Sequence, residues 1–345
     1  MTRERLGEIL SGIKKARVGI YGDLCLDVYW YADMRMSELS RETPHFAMPI
    51  VAEHLFLGGG GNVAANLAAL KPGVVYAAGT AGVDWRGREL TRLMEEAGIK
   101  TEHIVTRPAL VTNAFCKPMR RGISDRVYED PRLDFANIAP LGDEVEKSLI
   151  ESLTQVAAQV DVLCIADQLP TNVSGAVTNR IRAHILTLAE QGLTIIVDSR
   201  DRIGLYKGKG IILKPNEMEA ARAVNATFTE TVNTADFEKI AQALAQDNRE
   251  VVMTIGEKGS IVATKNSATH IPARSVTGEI DIVGAGDAFI AGFATATAAG
   301  ATRQEAAFFA GLCSEVTIQK IGTTGTASPE EITARYDFTH KEEKP

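Results

Sequence analysis

The stretch IDIVGAGDAFIAGF, from Ile280 to Phe293, combines the features on which the fold and the function of this chain depend. An apolar run ends in Gly284, Ala285 and Gly286, one carboxylate follows at Asp287, and small and apolar residues continue from there. The glycines let backbone N–H groups turn towards one point, and a helix that starts there adds the positive end of its dipole. The stretch therefore predicts a helix start that binds an anion such as phosphate.

Asp287 has two interpretations on this stretch alone. As an acid in the first turn of a helix it would gain about 0.3–1 kcal/mol from the helix dipole. An anion bound at the same point would repel it, however. The combination makes chemical sense if the carboxylate takes a proton from a hydroxyl that attacks a phosphoryl group held by the turn. Helix capping and catalysis both remain open at this point.

The bulk composition narrows the class of protein. The 345 residues suit one large α/β domain or two small ones, and the net charge of -7 argues against broad nucleic-acid binding. The four cysteines are far apart in sequence, which favours free thiols over disulfides or a zinc site. The N-terminus lacks the apolar core of a signal peptide, and no stretch reaches the ~18 apolar residues of a membrane span. We expect a cytoplasmic protein with neither a nucleic-acid nor a membrane partner.

Apolar strand patterns alternate with helical patterns along most of the chain. The strand patterns are fully apolar, as expected for strands that are covered on both faces. They lie at residues 16–30, with a turn at Gly22, and at residues 74–84, 161–170, 193–201, 210–217 and 249–260. This alternation predicts a three-layer α/β/α fold with a mostly parallel central sheet.

Polar residues stand where these predicted strands end. Ligands of parallel α/β sheets bind at the carboxyl ends of the strands. A ligand site at this edge is therefore expected to involve Asp27, Asp167, Asp198, Asn216, Thr254 and Gly256.

Two segments, at about residues 28–57 and 111–135, interrupt the alternation. Both are richer in strand patterns and in charge, and both lack a helical repeat. We interpret them as a small β-sheet lid inserted into a single domain that covers residues 1–345.

Two further motifs in the first quarter of the chain carry candidate ligand groups. LGGGGNVAANL, residues 57–67, places four glycines before a helix, and Asn62 there offers both a donor and an acceptor. A tight turn with an asparagine cap is the alternative, and a dinucleotide site is weakly supported because the acid that such a site needs does not end a clear strand. In GDLCLD, Asp27 is expected to lie just past an N-terminal strand, where it could bind two hydroxyls of a polyol or could simply be a turn acid.

Two later motifs carry candidate metal and nucleotide groups. In LKPNEMEA, Asn216 and Glu219 share one helix face and could hold a hydrated Mg²⁺, although an asparagine cap with its capping box competes with this interpretation. In TIGEKGS, the spacing of Thr254, Gly256 and Gly259 could meet the phosphates of a nucleotide, or could be a hairpin turn.

These motifs together resemble a known family. GGGGNVAANLAAL (residues 58–70) and DIVGAGDAFIAGF (281–293) resemble the two signatures of the ribokinase-like (PfkB) sugar kinases, and LKPNEMEA (213–220) resembles the Asn-x-x-Glu motif of that family. The resemblance covers residues 17–328. Within the family, GDLCLDVYWYADMRMSELSRETP, GTAGVD and RLDF are most similar to the heptose-7-phosphate kinase domain of bifunctional ADP-heptose synthesis proteins.

The resemblance implies an ATP- and Mg²⁺-dependent kinase in which Asp287 is the base and the backbone of Gly284, Ala285 and Gly286 forms the anion hole. It also implies a homodimer contact through the lid, and a monovalent cation is a further possible cofactor. The implied substrate-binding residues are Asp27, Gly58, Gly59, Asn62, Lys117 and Asp167. The implied cofactor-binding residues are Asn216, Glu219, Thr254, Gly256, Gly259 and Gly322, of which Asn216 and Glu219 would organise the metal.

Two loops differ from the heptose kinases. ADQLPTNVSG keeps Asp167 but lacks the lysine of their motif, and DSRD has Arg200 where they have lysine. Those cations could hold a sugar phosphate, and Lys117, Arg120 and Arg121 on the lid could replace them. The acceptor could thus be a heptose phosphate, a pentose, a keto-sugar acid or a nucleoside. A non-catalytic sugar or nucleotide sensor on the same fold is the alternative from another class, and a Rossmann-type dehydrogenase is a third interpretation.

Overall fold

The structure is a computed structural model that describes residues 1–124, 126–169, 175–227 and 233–342. The strands in these ranges are β1 (Arg17–Gly22), β2 (Leu24–Asp33), β3 (Ile50–Gly59), β4 (Val74–Gly82), β5 (Lys100–Arg107), β6 (Asn113–Arg121), β7 (Val127–Glu129), β8 (Leu133–Phe135), β9 (Val162–Asp167), β10 (Thr194–Ser199), β11 (Ile211–Leu213), β12 (Glu250–Thr254), β13 (Ser260–Thr264) and β14 (Ser267–Ile271). The helices are α1 (Arg3–Ile13), α2 (Gly60–Ala69), α3 (Trp85–Glu96), α4 (Asp143–Ala157), α5 (Asn179–Glu190), α6 (Glu217–Ala223), α7 (Thr234–Leu244), α8 (Ala285–Ala298), α9 (Arg303–Thr317) and α10 (Pro329–Glu342).

The central sheet has nine strands in the order β14-β13-β12-β11-β10-β9-β1-β4-β5. Its strands are parallel from β12 to β5, whereas β13 and β14 run antiparallel to their neighbours at one edge. The prediction of a mostly parallel sheet is confirmed. In the part of the chain described above, no helix is long and apolar enough to cross a membrane.

Side chains of the central strands alternate between two apolar clusters. In β9, Val162 and Cys164 pack into the cluster that contains α1, α2, α8, α9 and α10, whereas Leu163 and Ile165 pack into the cluster that contains α4, α5 and α7. Each such side chain, fully buried, contributes about 1.5–3 kcal/mol. Helices thus cover both faces of the sheet, which explains why the strands are continuously apolar and confirms the three-layer α/β/α fold.

A second sheet, here called the small sheet, contains β2, β3, β6, β7 and β8. The order is β3-β2-β6-β7, and β8 also pairs with β6. Its strands lie close to the two predicted segments, but β2 begins at Leu24, and only Asp23 separates it from the end of β1. Asp27 is therefore inside a strand of the small sheet, and the expectation that it follows an N-terminal strand directly is wrong. The chain changes sheets at Asp23, directly after the turn predicted at Gly22.

The small sheet joins the central layers at the carboxyl end of β1. The backbone N–H of Gly60, at the start of α2, donates to the carbonyl of Asp23, with an N–O distance of 2.8 Å. Because β3 runs directly into α2, residues from both sheets meet at this edge. The N-terminus of α8 also lies there, since α8 packs against α2 and against the strands β1, β9 and β10.

Candidate active site

The N-terminus of α8 is the centre of the site. Gly284 caps the helix in the left-handed conformation (φ 81°, ψ −1°), which disfavours any residue with a Cβ. Ala285, Gly286 and Asp287 form the first helical turn. The N–H of Ala285 donates to the carbonyl of Ile282 over 3.2 Å. The first N–H groups of a helix have no carbonyl partner within the helix, so those of Gly286 and Asp287 can bind an anion here.

Asp287 makes a short hydrogen bond to α2. The Nδ2 of Asn62, a residue buried at the start of α2, donates to Oδ2 of Asp287 over 2.6 Å. Burial raises the pKa of Asp287 to about 6, against the hydrogen bond from Asn62, which lowers it. A carboxylate with a pKa just below neutral is suited to accept a proton in a reaction at physiological pH. The structure thus brings together two residues that the sequence had suggested for different roles.

A buried lysine lies next to the first turn of α8. Lys214 follows β11 directly, and its Nζ lies 3.0 Å from Oδ2 of Asp198. A Cβ placed on Gly286 would lie 3.3 Å from that Nζ, so the ammonium group borders the helix start. Burial alone would lower the pKa of Lys214, but the carboxylates of Asp198, Glu219 and Asp287 outweigh it and raise the pKa. Lys214 is therefore a permanent cation beside the anion-binding turn.

Lys214 was absent from the predicted site residues. The signal that could have found Lys214 is its position at the end of the apolar run GIIL, because a buried lysine requires a partner. Asp198 was noted at a strand end, but its pairing with Lys214 depends on strand order, which the sequence does not reveal.

Asn216 and Glu219 form a capping box at the start of α6. The side chain of Asn216 accepts from the backbone N–H of Glu219, and Oε2 of Glu219 accepts from the backbone N–H of Asn216. The alternative that competed with metal binding is thus present in the structure. Burial, and then the neighbouring Asp198, raise the pKa of Glu219.

The small sheet presents an ion pair at its side of the site. Nζ of Lys117 donates to Oδ2 of Asp27 over 3.0 Å and to the hydroxyl of Tyr29 over 2.8 Å. Oδ1 of Asp27 is buried without a hydrogen-bond partner. A Cβ on Gly58 would lie 2.4 Å from that oxygen, so the glycine makes room for the carboxylate. Gly59 is the residue directly before α2.

Asp167 does not join this group. Its carboxylate, 1% exposed, pairs with Arg202 and accepts from the hydroxyls of Ser199 and Tyr206 over 2.7 and 3.0 Å. These contacts occupy the carboxylate within the protein, so the geometry does not support the predicted role of Asp167 in substrate binding. Residues 170–174 of the altered ADQLPTNVSG loop lie outside the described residues, whereas Arg200 is exposed just after β10.

The four remaining predicted residues lie on two turns. Thr254 ends β12, and its backbone N–H donates to the carbonyl of Pro215 over 3.0 Å, which places it beside the capping box. Gly256 and Gly259 bound a tight turn between β12 and β13, as the hairpin alternative proposed. The backbone N–H of Gly322 donates to Oδ2 of Asp281 over 3.0 Å, which ties that turn to the segment before α8.

The fold and the site define a class of protein. A near-neutral carboxylate, an open helix N-terminus and a buried lysine converge at the carboxyl edge of a parallel α/β sheet, which is the arrangement that phosphoryl transfer to a hydroxyl requires. Comparison with known proteins agrees with this class. The family model described as pfkB family carbohydrate kinase matches residues 26–331. The chain belongs to this family and is a phosphotransferase with an alcohol group as acceptor.

Several characterised proteins are similar over most of the chain. The bifunctional protein HldE of Bradyrhizobium diazoefficiens is 29% identical over 333 residues, which are 95% of this chain and 64% of that protein. The bifunctional protein HldE of Shewanella piezotolerans is 29% identical over 342 residues, covering 96% and 66%. The chain thus spans less than two thirds of the length of these relatives.

Solved structures support the fold. The ribokinase of Arabidopsis thaliana complexed with ribose and ATP has a TM-score of 0.71 at 17% identity and covers 93% of this chain and 98% of its own. The phosphofructokinase-2 of Escherichia coli in complex with substrates and products has a TM-score of 0.72 at 20% identity and covers 93% and 99%. The ribokinase-like fold that the motifs implied is confirmed.

Proposed function

We propose that this protein transfers the γ-phosphoryl group of ATP to a hydroxyl of a sugar or sugar phosphate. The single observation that carries the proposal is the position of Asp287. Its carboxylate is in the first turn of a helix that can bind an anion, is held by Asn62, and faces a buried lysine. Helix capping alone would not require Asn62 and Lys214 beside Asp287 at the N-terminus of α8.

The proposed reaction is an in-line displacement. Asp287 takes the proton of the acceptor hydroxyl, and the oxygen of that hydroxyl forms a bond to the γ-phosphorus of ATP. At the same time the bond between the γ-phosphorus and the bridging oxygen breaks, which releases ADP. The N–H groups of the α8 start and the ammonium group of Lys214 offset the charge on the phosphoryl oxygens. Most of the catalytic effect then comes from positioning and electrostatics.

Glu219 and Asn216 carry the oxygen groups that would support a hydrated Mg²⁺. One carboxylate oxygen of Glu219 is used in the capping box, which leaves the other oxygen to accept from a water bound to the metal. The described residues contain no cluster of three or more His, Cys, Asp or Glu that could hold a metal ion, so waters and nucleotide phosphates would supply most ligands. When bound, the ion would neutralise charge on the transferring phosphoryl group.

The sugar would lie between α8 and the small sheet. The unpartnered Oδ1 of Asp27 can accept from a hydroxyl, which would remove the cost of a buried, unsatisfied acceptor. We also propose that the small sheet closes as a lid and excludes water, which would otherwise compete with the sugar for the phosphoryl group. Apolar side chains at Phe46, Ile50 and Val51 are exposed at β3 and just before it, and the homodimer through this sheet stays a prediction.

Replacing Gly58 by alanine is expected to weaken sugar binding. The added Cβ must displace the Asp27 carboxylate, because the two would otherwise lie 2.4 Å apart. Loss of one charge-assisted hydrogen bond to the sugar corresponds to about a tenfold or greater rise in KM. Steady-state kinetics measure this effect. Gly122→Ala is the matched control, because a Cβ at Gly122 meets no atom within 4 Å; equal KM values for the two variants would contradict the assignment of Asp27.

The rate is expected to depend on pH through Asp287. The base acts in its ionised form, so kcat/KM should be level above its pKa of about 6 and fall as the pH drops through that value. Below this point the fall approaches about tenfold per pH unit. A profile from pH 4.5 to 8.5 measures it. A profile that stays flat down to pH 4.5 would exclude Asp287 as the titrating base.

The acceptor can be identified by a screen with coupled detection of ADP. The panel should contain heptose and hexose phosphates, pentoses, keto-sugar acids and nucleosides, because Arg200 and Lys117 leave the charge of the acceptor open. ADP formation that requires one acceptor and is lost in Asp287→Asn supports the proposal. Calorimetric binding of sugar and a non-hydrolysable ATP analogue without any turnover would instead favour the sensor alternative.

A further inference from the structure

A second asparagine stands behind the contact between Asn62 and Asp287. Asn66, one turn further along α2, is 2% exposed. Its Nδ2 donates to the backbone carbonyl of Asn62 over 2.9 Å and to Oδ1 of Asn62 over 3.3 Å. The Nδ2 of Asn62 in turn donates to Oδ2 of Asp287 over 2.6 Å. The three side chains form one directed series, in which the amide of Asn66 donates to the amide oxygen of Asn62 and the amide of Asn62 donates to the carboxylate of Asp287.

The direction of the series determines which form of Asp287 is favoured. An asparagine amide can turn over and exchange its oxygen and nitrogen. An ionised Asp287 needs the donor of Asn62, whereas a protonated Asp287 would be better served by the oxygen of Asn62, to which it could donate. If Asn62 turned over, its NH₂ group would face the NH₂ group of Asn66. Asn66 therefore opposes only the arrangement that would stabilise the protonated acid.

We propose that Asn66 is a positioning residue that keeps Asp287 ionised by fixing the orientation of the Asn62 amide. This inference rests on the proposed function, because it concerns the base of that reaction. Asn66 touches neither the reacting hydroxyl nor the phosphoryl group, and it acts through Asn62.

Three other charged groups also affect the pKa of Asp287. Asp198, near the end of β10, and Asp27, on the small sheet, disfavour the ionised form of Asp287, whereas Lys214 favours it. In the described part of the chain, none of these three groups forms a hydrogen bond with Asn66. Replacing Asn66 therefore changes the orientation of Asn62 and leaves these charges in place.

The test compares the pH profiles of kcat/KM for the wild type, Asn66→Leu and Asn66→Ala. Without the Asn66 donor, Asn62 can turn over and accept from the protonated acid, which raises the pKa of Asp287. The acid limb should move up by about one pH unit, the size of one hydrogen-bond difference between the two protonation states. Near pH 5.5 the variants should thus be about tenfold slower relative to wild type than they are at pH 8.

Leu67→Ala is the matched control for a merely structural effect. Leu67 is fully buried on the same helix, so its truncation destabilises α2 without touching the series of hydrogen bonds. Its acid limb should coincide with that of the wild type. If both Asn66 variants also keep the wild-type limb, or if Leu67→Ala moves it equally, the inference is wrong.

A measurement without turnover separates this inference from the proposed function. The difference in melting temperature between the wild type and Asp287→Asn, followed against pH, reports the pKa of Asp287 in the folded protein. The difference in melting temperature between Asn66→Leu and the double variant Asn66→Leu with Asp287→Asn should change at a pH about one unit higher. If no acceptor is phosphorylated, the proposed function fails, but this pair of titrations still supports the role of Asn66 or overturns it.

Discussion

Asp287→Asn is expected to lower kcat by about 10²–10⁴-fold, the range that general-base catalysis contributes. The substituted amide has nearly the same size and can still accept the hydrogen bond from Asn62, so the site keeps its shape. It cannot take the proton of the acceptor hydroxyl. KM for the acceptor should change little, because the variant loses an interaction that matters in the transition state. Steady-state kinetics with the acceptor found in the screen measure both constants.

The same variant is expected to be more stable than the wild type at pH 8. Burial raises the pKa of Asp287 to about 6, so the folded protein holds an ionised carboxylate at pH 8 that water would solvate better in the unfolded chain. Removing the charge should add about 1–2 kcal/mol after allowance for the partial exposure of the group. The sign follows from the raised pKa: the gain is largest above pH 6 and fades as the pH falls towards 4.

Thermal melts at pH 8 and pH 4.5 supply the control for the kinetic result. A variant that is inactive and melts higher at pH 8 has lost chemistry and not its fold. A near-wild-type kcat would show that Asp287 is not the base, whatever the melts show. Such an exchange between stability and activity is common where a functional site holds a charge in an unfavourable environment.

Most of the fold could be predicted because the central strands are covered on both faces. The runs that became β9, β10 and β12 are apolar throughout, and each carries side chains into both clusters. The edge strand β14 lacks this pattern, since it is exposed or half-buried and carries the polar sequence SATHI. The small sheet starts at Leu24 and not at about residue 28, because only Asp23 separates β1 from β2 and the first residues of β2 are as buried and apolar as β1.

The site was predictable where one motif supplies a whole structural unit. The α8 start lies within one stretch, so its glycines and Asp287 were found together. Contacts across the fold were not predictable: Asn62 and Asp287 are 225 residues apart, and their hydrogen bond depends on the packing of α2 against α8. Asp167 shows the converse error, because a polar residue at a strand end can serve the interior of the protein as well as a ligand.

Lys214→Met is expected to lower kcat by about 10²–10³-fold, comparable to the loss of one electrostatic contact to transition-state charge. The ammonium group borders the first turn of α8, where the charge of the transferring group would develop. Methionine has a similar length and shape without the charge. KM for the acceptor sugar should change by less than the rate does, because Lys214 is directed at the phosphoryl group. A second effect should accompany the first: without the cation the pKa of Asp287 rises further, so the acid limb of kcat/KM moves to higher pH.

The partner of Lys214 makes it possible to separate catalysis from folding. Breaking a buried ion pair at one member costs about 3–5 kcal/mol, because the other charge is left without compensation. Lys214→Met alone could therefore lose activity through unfolding, and its melting temperature must be measured. The double variant Lys214→Met with Asp198→Asn removes both charges of the pair, whose atoms lie 3.0 Å apart, and should recover most of the stability. If Lys214 acts on the phosphoryl group, the double variant stays slow although it is folded. If it recovers the wild-type kcat together with the stability, the lysine serves only to neutralise Asp198, and the anion site consists of the α8 backbone alone.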